Sequence, residues 1–246
     1  ALDAGCPAHF VLGEAGSGKT RLAREVLARM EADGWVVAGA TASESAAATP
    51  LGALAHLVPG SAPASPPTLF EATVAAIAER TGGRPLILHV DDAHHLDASS
   101  ASLLVSLAEA DAARLVLTMR PGLGTPDAIA SLRSAHRVES VTLQGLDPVA
   151  IDTLLHRVLG APLDGLAEAE LVEISGGNPL YLRELVLSAV AEGALEHVAG
   201  VWRLRGALPT SDALGAQVLG RMAVLGEGSR DALELIAVGE PVEIGR

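Results

Sequence analysis

Short apolar runs alternate with helically spaced apolar positions through the first 145 residues, and after that only the helical spacing continues. Runs of the first kind are His9-Phe10-Val11-Leu12, Trp35 to Ala40, Pro85 to Asp92, Arg114 to Arg120 and Arg137 to Leu143. Each is short enough for a buried strand and too short for a helix. Helical spacing falls between them: Leu22, Ala23, Val26 and Leu27, then Leu69 to Arg80, Ala101 to Ala110 behind an Asp97 cap, and Asp127 to Ser134. Strands alternating with helices predict βαβ units and a mainly parallel sheet, an α/β class fold. The Pro/Ser-rich stretch Pro59 to Pro67 reads as a surface loop.

Beyond Gly145-Leu146-Asp147-Pro148 the expectation is helical. Pro148 suits a first helical position, and Ile151, Leu154, Leu155, Val158 and Leu159 predict one apolar face. Further helices are expected at Leu166 to Ile174 and Leu180 to Ala194, with a hairpin over Val198 to Arg205 turning at Ala199-Gly200. Two more helices are expected at Asp212 to Leu225 and Ser229 to Val238. The domains read as 1–146, an α/β core; 147–195, a small helical domain; and 196–246, the start of a further module. The chain is expected to be a fragment of a longer protein.

Composition narrows the function classes. The formal charge is −13, which argues against these residues embracing a nucleic-acid backbone. Cys6 is the single cysteine, so neither an internal disulfide nor a Cys-rich metal site can form. No membrane-length apolar run and no secretory signal are seen, and a cytoplasmic location is expected. Of the 17 basic residues only Lys19 is a lysine.

That lysine lies in Gly13-Glu14-Ala15-Gly16-Ser17-Gly18-Lys19-Thr20, which matches G-x-x-x-x-G-K-[ST] between an apolar strand and a helical pattern. Composition alone makes a chance match roughly a one-in-a-thousand event. The glycines let backbone N–H groups turn toward phosphate oxygens, and the helix N-terminus adds partial positive charge. Candidate nucleotide-binding residues are therefore Gly13, Glu14, Ala15, Gly16, Ser17, Gly18, Lys19, Thr20 and Arg21. Lys19 would bridge the β- and γ-phosphates, and the Thr20 hydroxyl would ligate Mg²⁺. A second apolar strand ends in Asp91-Asp92. Asp91 is placed to assist the metal, and Asp92 to orient or deprotonate an attacking water. Thr118 and Arg120, closing the next strand, read either as γ-phosphate sensors or as ordinary strand-end polar residues. His94-His95 lack further metal-ligand spacing and suggest a loop or supporting role. Ser175-Gly176-Gly177-Asn178-Pro179 reads as helix punctuation or as a nucleotide contact through Pro179, and spacing does not decide between them.

Taken in order, Gly-Glu-Ala-Gly-Ser-Gly-Lys-Thr, Leu-Ile-Leu-His-Val-Asp-Asp-Ala-His-His-Leu-Asp, Leu-Val-Leu-Thr-Met-Arg and Ser-Gly-Gly-Asn-Pro-Leu-Tyr-Leu-Arg-Glu-Leu-Val resemble STAND-class P-loop ATPases. More narrowly, they resemble the ATPase region of large ATP-binding LuxR-type (MalT-like) transcriptional regulators. The resemblance implies a P-loop nucleotide-binding domain, a helical domain and the start of a winged-helix domain from residue 196. It also implies ATP and ADP as ligands with Mg²⁺, an ADP-bound resting state, slow hydrolysis and self-association in the ATP state. By position, Lys19, Asp92 and Arg120 would carry the chemistry, Arg120 as sensor. Thr20 and Asp91 would hold the metal, and Pro179 would touch the nucleotide. His95 stands where the relatives often carry Trp, and the family's upstream base-recognising segment has no counterpart in this sequence. DNA contact would belong to another domain. The competing class is a turnover enzyme, an AAA+ motor or a small-molecule kinase. A motor would need an arginine finger, which none of the arginines can be assigned, and a kinase would leave the helical tail without a task. A scaffold with a degenerate site is disfavoured by the intact motifs.

Overall fold

A computed structural model describes residues 6–59, 65–135 and 138–208. The chain forms two compact units, Ala1–Gln144 and Gly145–Arg246. In the first, β1 (Ala8–Leu12), β2 (Val36–Thr41), β3 (Leu86–Asp91), β4 (Arg114–Met119) and β5 (Val138–Thr142) make one sheet in the order β2-β3-β4-β1-β5. Every pairing is parallel. The expected parallel α/β architecture is present, and its crossovers are α1 (Lys19–Ala32), α2 (Glu44–Ala47), α3 (Pro66–Thr81), α4 (Ala98–Glu109) and α5 (Asp127–Ser134).

The two-residue period of a strand sorts side chains between the sheet's faces. Leu88, Val90, Leu115 and Leu117 join the larger cluster, which also holds Leu104 and Leu107 of α4. Ile87 and Val116 pack instead with Ala23 and Leu27 of α1. Asp91, four positions beyond Ile87, and Thr118, two beyond Val116, keep the same parity and therefore face the α1 side at the carboxyl end of the sheet. This parity places the site.

The second unit contains α6 (Pro148–Leu159), α7 (Gly165–Ser175), α8 (Pro179–Ala191) and an antiparallel hairpin of β6 (Leu195–Val198) and β7 (Val201–Leu204). Ile151, Leu171, Leu182, Leu185 and Leu195 share one core, with Trp202 against it. The indole Nε1–H of Trp202 donates to the Leu159 carbonyl at 3.2 Å, satisfying an orphan acceptor at the end of α6.

Several boundaries differ from the sequence reading. Helix α3 begins at Pro66, inside the stretch expected to be loop, because proline needs no N–H partner in a first turn. Helix α8 ends at Ala191 rather than Ala194, and β6 begins at Leu195. The turn does fall at Ala199-Gly200, both at positive φ (52° and 84°), as a two-residue primed hairpin requires. Of the apolar face expected on α6, Ile151 and Leu155 are buried, while Val158 is 69% exposed: the buried stripe follows the i, i+4 ridge and is narrower than expected. Helix α2 and the 3-10 turn Gly52–Leu54 had no sequence forecast. Residues 60–64 of the expected loop and the helices expected at 212–225 and 229–238 lie outside the described residues. So does the segment expected to open a winged-helix domain, apart from 196–208. Among the described residues, no helix is long and apolar enough to cross a membrane.

Candidate functional site

Strand β1 runs between β4 and β5 and delivers the glycine loop to the carboxyl edge of the sheet. The loop is anchored as it leaves: Gly13 N–H donates to the Met119 carbonyl at 3.3 Å, and Leu143 N–H to the Leu12 carbonyl at 2.8 Å. A Cβ on Gly13 would lie 2.6 Å from Ser17 Oγ and 3.3 Å from Leu143 Cβ, so a side chain here would push against Ser17 and Leu143. Helix α1 then begins at Lys19 behind Gly18, which has φ 95°.

That helix start differs from those of α4, α6, α7 and α8. Side chains of Asp97, Asp147, Asp164 and Asn178 cap α4, α6, α7 and α8, whereas α1 has no side-chain cap and no acidic residue in its first turn. First-turn N–H groups have no intrahelical acceptor, and here no carboxylate answers for them. Ser17 Oγ is buried in the same loop without a hydrogen-bond partner. Unsatisfied donors gathered at a helix N-terminus fit an anionic oxygen-rich group such as a phosphate.

Lys19 is buried, and its ammonium donates to the Glu14 carbonyl at 2.9 Å. Burial pulls its pKa below the ordinary value, and Arg120 acts in the same direction against Asp92, Asp91 and Glu14. Thr20 Oγ1 lies 3.0 and 2.8 Å from the two carboxylate oxygens of Asp91. A hydroxyl and a carboxylate in this proximity are hard oxygen ligands suited to Mg²⁺. Glu14 and Arg21 are exposed.

Thr118, fully buried in β4, bridges the two acids. Its hydroxyl donates to Asp91 Oδ1 and accepts the Asp92 N–H at 2.9 Å. Asp92 is held in the left-handed region at φ 53°, at the start of a 3-10 turn Ala93–His95, so its carboxylate departs from the strand's alternation. Asp92 Oδ1 stands 4.0 Å from Arg120 Nε and 4.0 Å from His94 Nδ1. The structure thus gathers Lys19, Thr20, Asp91, Asp92 and Arg120 at one edge. Thr118 as the link between the acids was not foreseen; its signal was a polar residue sharing the strand face of Asp91. Pro179 belongs to the second unit, at the first position of α8, where Asn178 Oδ1 accepts the Leu180 N–H at 3.0 Å.

Residues 1–119 match the family described as AAA ATPase domain. This region is a P-loop ATPase domain. No curated protein matches the chain. Among solved structures, a proline-to-glycine variant of RuvB from Thermotoga maritima is similar, with TM-score 0.50 and 14% identity over 96% of this chain and 71% of that one. A threonine-to-valine variant of the same protein gives TM-score 0.47 at 14% identity, covering 96% of this chain and 70% of that one. At such identity the first likeness speaks for the fold, a parallel-sheet P-loop NTPase-like architecture. The ATPase domain binds nucleotide.

Proposed function

We propose that this chain is the nucleotide switch of a STAND-type, LuxR-family (MalT-like) transcriptional regulator. It binds ATP and ADP with Mg²⁺, hydrolyses ATP slowly, and signals through its conformation and through self-association in the ATP state. DNA is contacted by a different domain, and the regulator works in the cytoplasm.

One observation carries the reading furthest. Within the second unit, the Gly176-Gly177-Asn178-Pro179 turn is clasped to Gly145 and Leu146. Leu146 N–H donates to the Gly177 carbonyl at 2.8 Å. A Cβ on Gly145 would sit 2.7 Å from the Gly176 carbonyl oxygen. A turn held this closely shifts only together with Gly145-Leu146 and with α8, which suits a Pro179 that reads the nucleotide and passes its state onward.

In this reading the loop amides and Lys19 hold the phosphates, while Thr20 and Asp91 hold Mg²⁺. The metal, when bound, neutralises phosphate charge. Asp92 orients the attacking water and accepts its proton as the bond to the leaving diphosphate oxygen breaks. Arg120, beside Asp92, senses the γ-phosphate.

The test is to denature purified protein and identify any released nucleotide by ion-exchange chromatography, with Lys19→Ala alongside. Near-stoichiometric ADP from the wild type and none from the variant supports a switch resting in its ADP state. An empty wild-type site with rapid steady turnover moves the chain to the motor or kinase class.

A further inference from the structure

Among the buried polar groups at the site, the imidazole of His94 is left without a task. Its side chain is 2% exposed, yet neither ring nitrogen has a hydrogen-bond partner. A buried donor left unmade is costly, so such a group is expected to find its partner in the working state of the protein. Asp92 Oδ1 lies 4.0 Å from Nδ1, and that same oxygen is 4.0 Å from Arg120 Nε.

We propose that His94 is the positioning residue for Asp92, donating Nδ1–H to its carboxylate in rivalry with Arg120. This rests on the reading of Asp92 as the residue that orients the attacking water. The Asp92 backbone is pinned by the Thr118 hydroxyl at 2.9 Å, so the carboxylate moves only by side-chain rotation. A displacement of about 1 Å toward His94 makes a charge-assisted bond inside the protein. The same displacement toward Arg120, 42% exposed, makes an ion pair at the surface.

The two partners have different consequences. Burial, then His95 with its ring centroid 4.2 Å away, and then Arg120 and Lys19 hold the imidazole below its ordinary pKa against the pull of Asp92. A neutral imidazole fixes the carboxylate without cancelling its charge, which leaves a free oxygen basic toward water. The arginine partner draws that charge off. Bound to His94 the base is engaged; bound to Arg120 it is idle.

The experiment compares His94→Asn, which keeps a donor near the place of Nδ1, with His94→Leu, which keeps apolar volume only. On the full chain, kcat and KM for ATP, ADP affinity and thermal midpoint are measured. His94→Leu is expected to lower kcat about ten- to a hundredfold, the range for one hydrogen bond to a charged group. KM and ADP affinity stay within about twofold, the midpoint does not fall, and His94→Asn retains most of kcat. A packing role gives the reverse order, with His94→Leu turning over normally, and that overturns the proposal. In an Asp92→Asn background, His94→Leu should add nothing; a further loss there also overturns it. Wild-type hydrolysis by Asp92→Asn itself would instead remove the underlying reading of Asp92.

Discussion

The Thr118 hydroxyl donates to the Asp91 carboxylate across the gap between β4 and β3. Because it also accepts the Asp92 amide, one buried hydroxyl sets both acids. Thr118→Val keeps the shape and removes the bridge. The expected cost is about 1–3 kcal/mol, since the Asp92 N–H loses its acceptor. For a chain of this size that lowers the thermal midpoint by roughly 2–4 °C per kcal/mol. Calorimetry with a parallel hydrolysis assay checks it; an unchanged midpoint with unchanged turnover would show that the bridge is idle.

Asp92→Asn separates binding from chemistry. Asparagine tolerates the left-handed backbone at this position, so the fold should hold. Nucleotide affinity is expected to persist while hydrolysis falls about 10²–10⁴-fold, the usual worth of a general base. Trapped ATP in the purified variant would be the direct sign.

Asp97 gives the acid-side prediction. Its Oδ1 accepts Ser100 N–H at 2.9 Å, capping α4, and Leu51 N–H at 3.2 Å, holding the segment before α3. Burial alone would raise its pKa, but the donors of Ser100 and Leu51 outweigh it and hold the carboxyl below its ordinary 3.8. The stabilisation is therefore complete above that value and disappears as pH falls through the lower folded-state pKa. Asp97→Ala should cost about 1–2 kcal/mol near pH 7. Denaturant melts of the two proteins should converge on acidification; a gap that widens would reverse the sign.

Two adjacent glycines should behave differently. Both Gly176 and Gly177 have positive φ, so alanine is strained at either. At Gly176 a Cβ meets nothing within 4 Å, whereas at Gly177 it would lie 2.4 Å from the Leu146 carbonyl oxygen. Gly176→Ala is expected to cost about 1 kcal/mol. Gly177→Ala should cost several-fold more, because backbone must move. Equal midpoints for the two variants would mean that the clasp is loose.

The strand–loop–helix around Lys19 was readable because its elements are consecutive and their signals local: an apolar run, glycines, then helical spacing. The acid pair was readable as a strand end, but its geometry was not. Asp92 turns into the left-handed region, and its amide partner is 26 residues away on a strand whose register no local pattern reveals. Leu51, also at positive φ, is held by Asp97 from afar, so the segment carrying α2 gave no periodic signal. His94 is an extreme case. The spacing of His94-His95 suggests no more than a loop or supporting role. The meaning of His94 lies in burial beside Asp92, which sequence spacing does not encode.

The switch itself is tested most directly by sedimentation velocity of the chain with Mg²⁺ and either ADP or a non-hydrolysable ATP analogue, both at saturating concentration. The account predicts a monomer-sized species with ADP and larger species with the analogue, and neither effect in Lys19→Ala. Identical sizes in the two nucleotide states, with both shown to be bound, would contradict it.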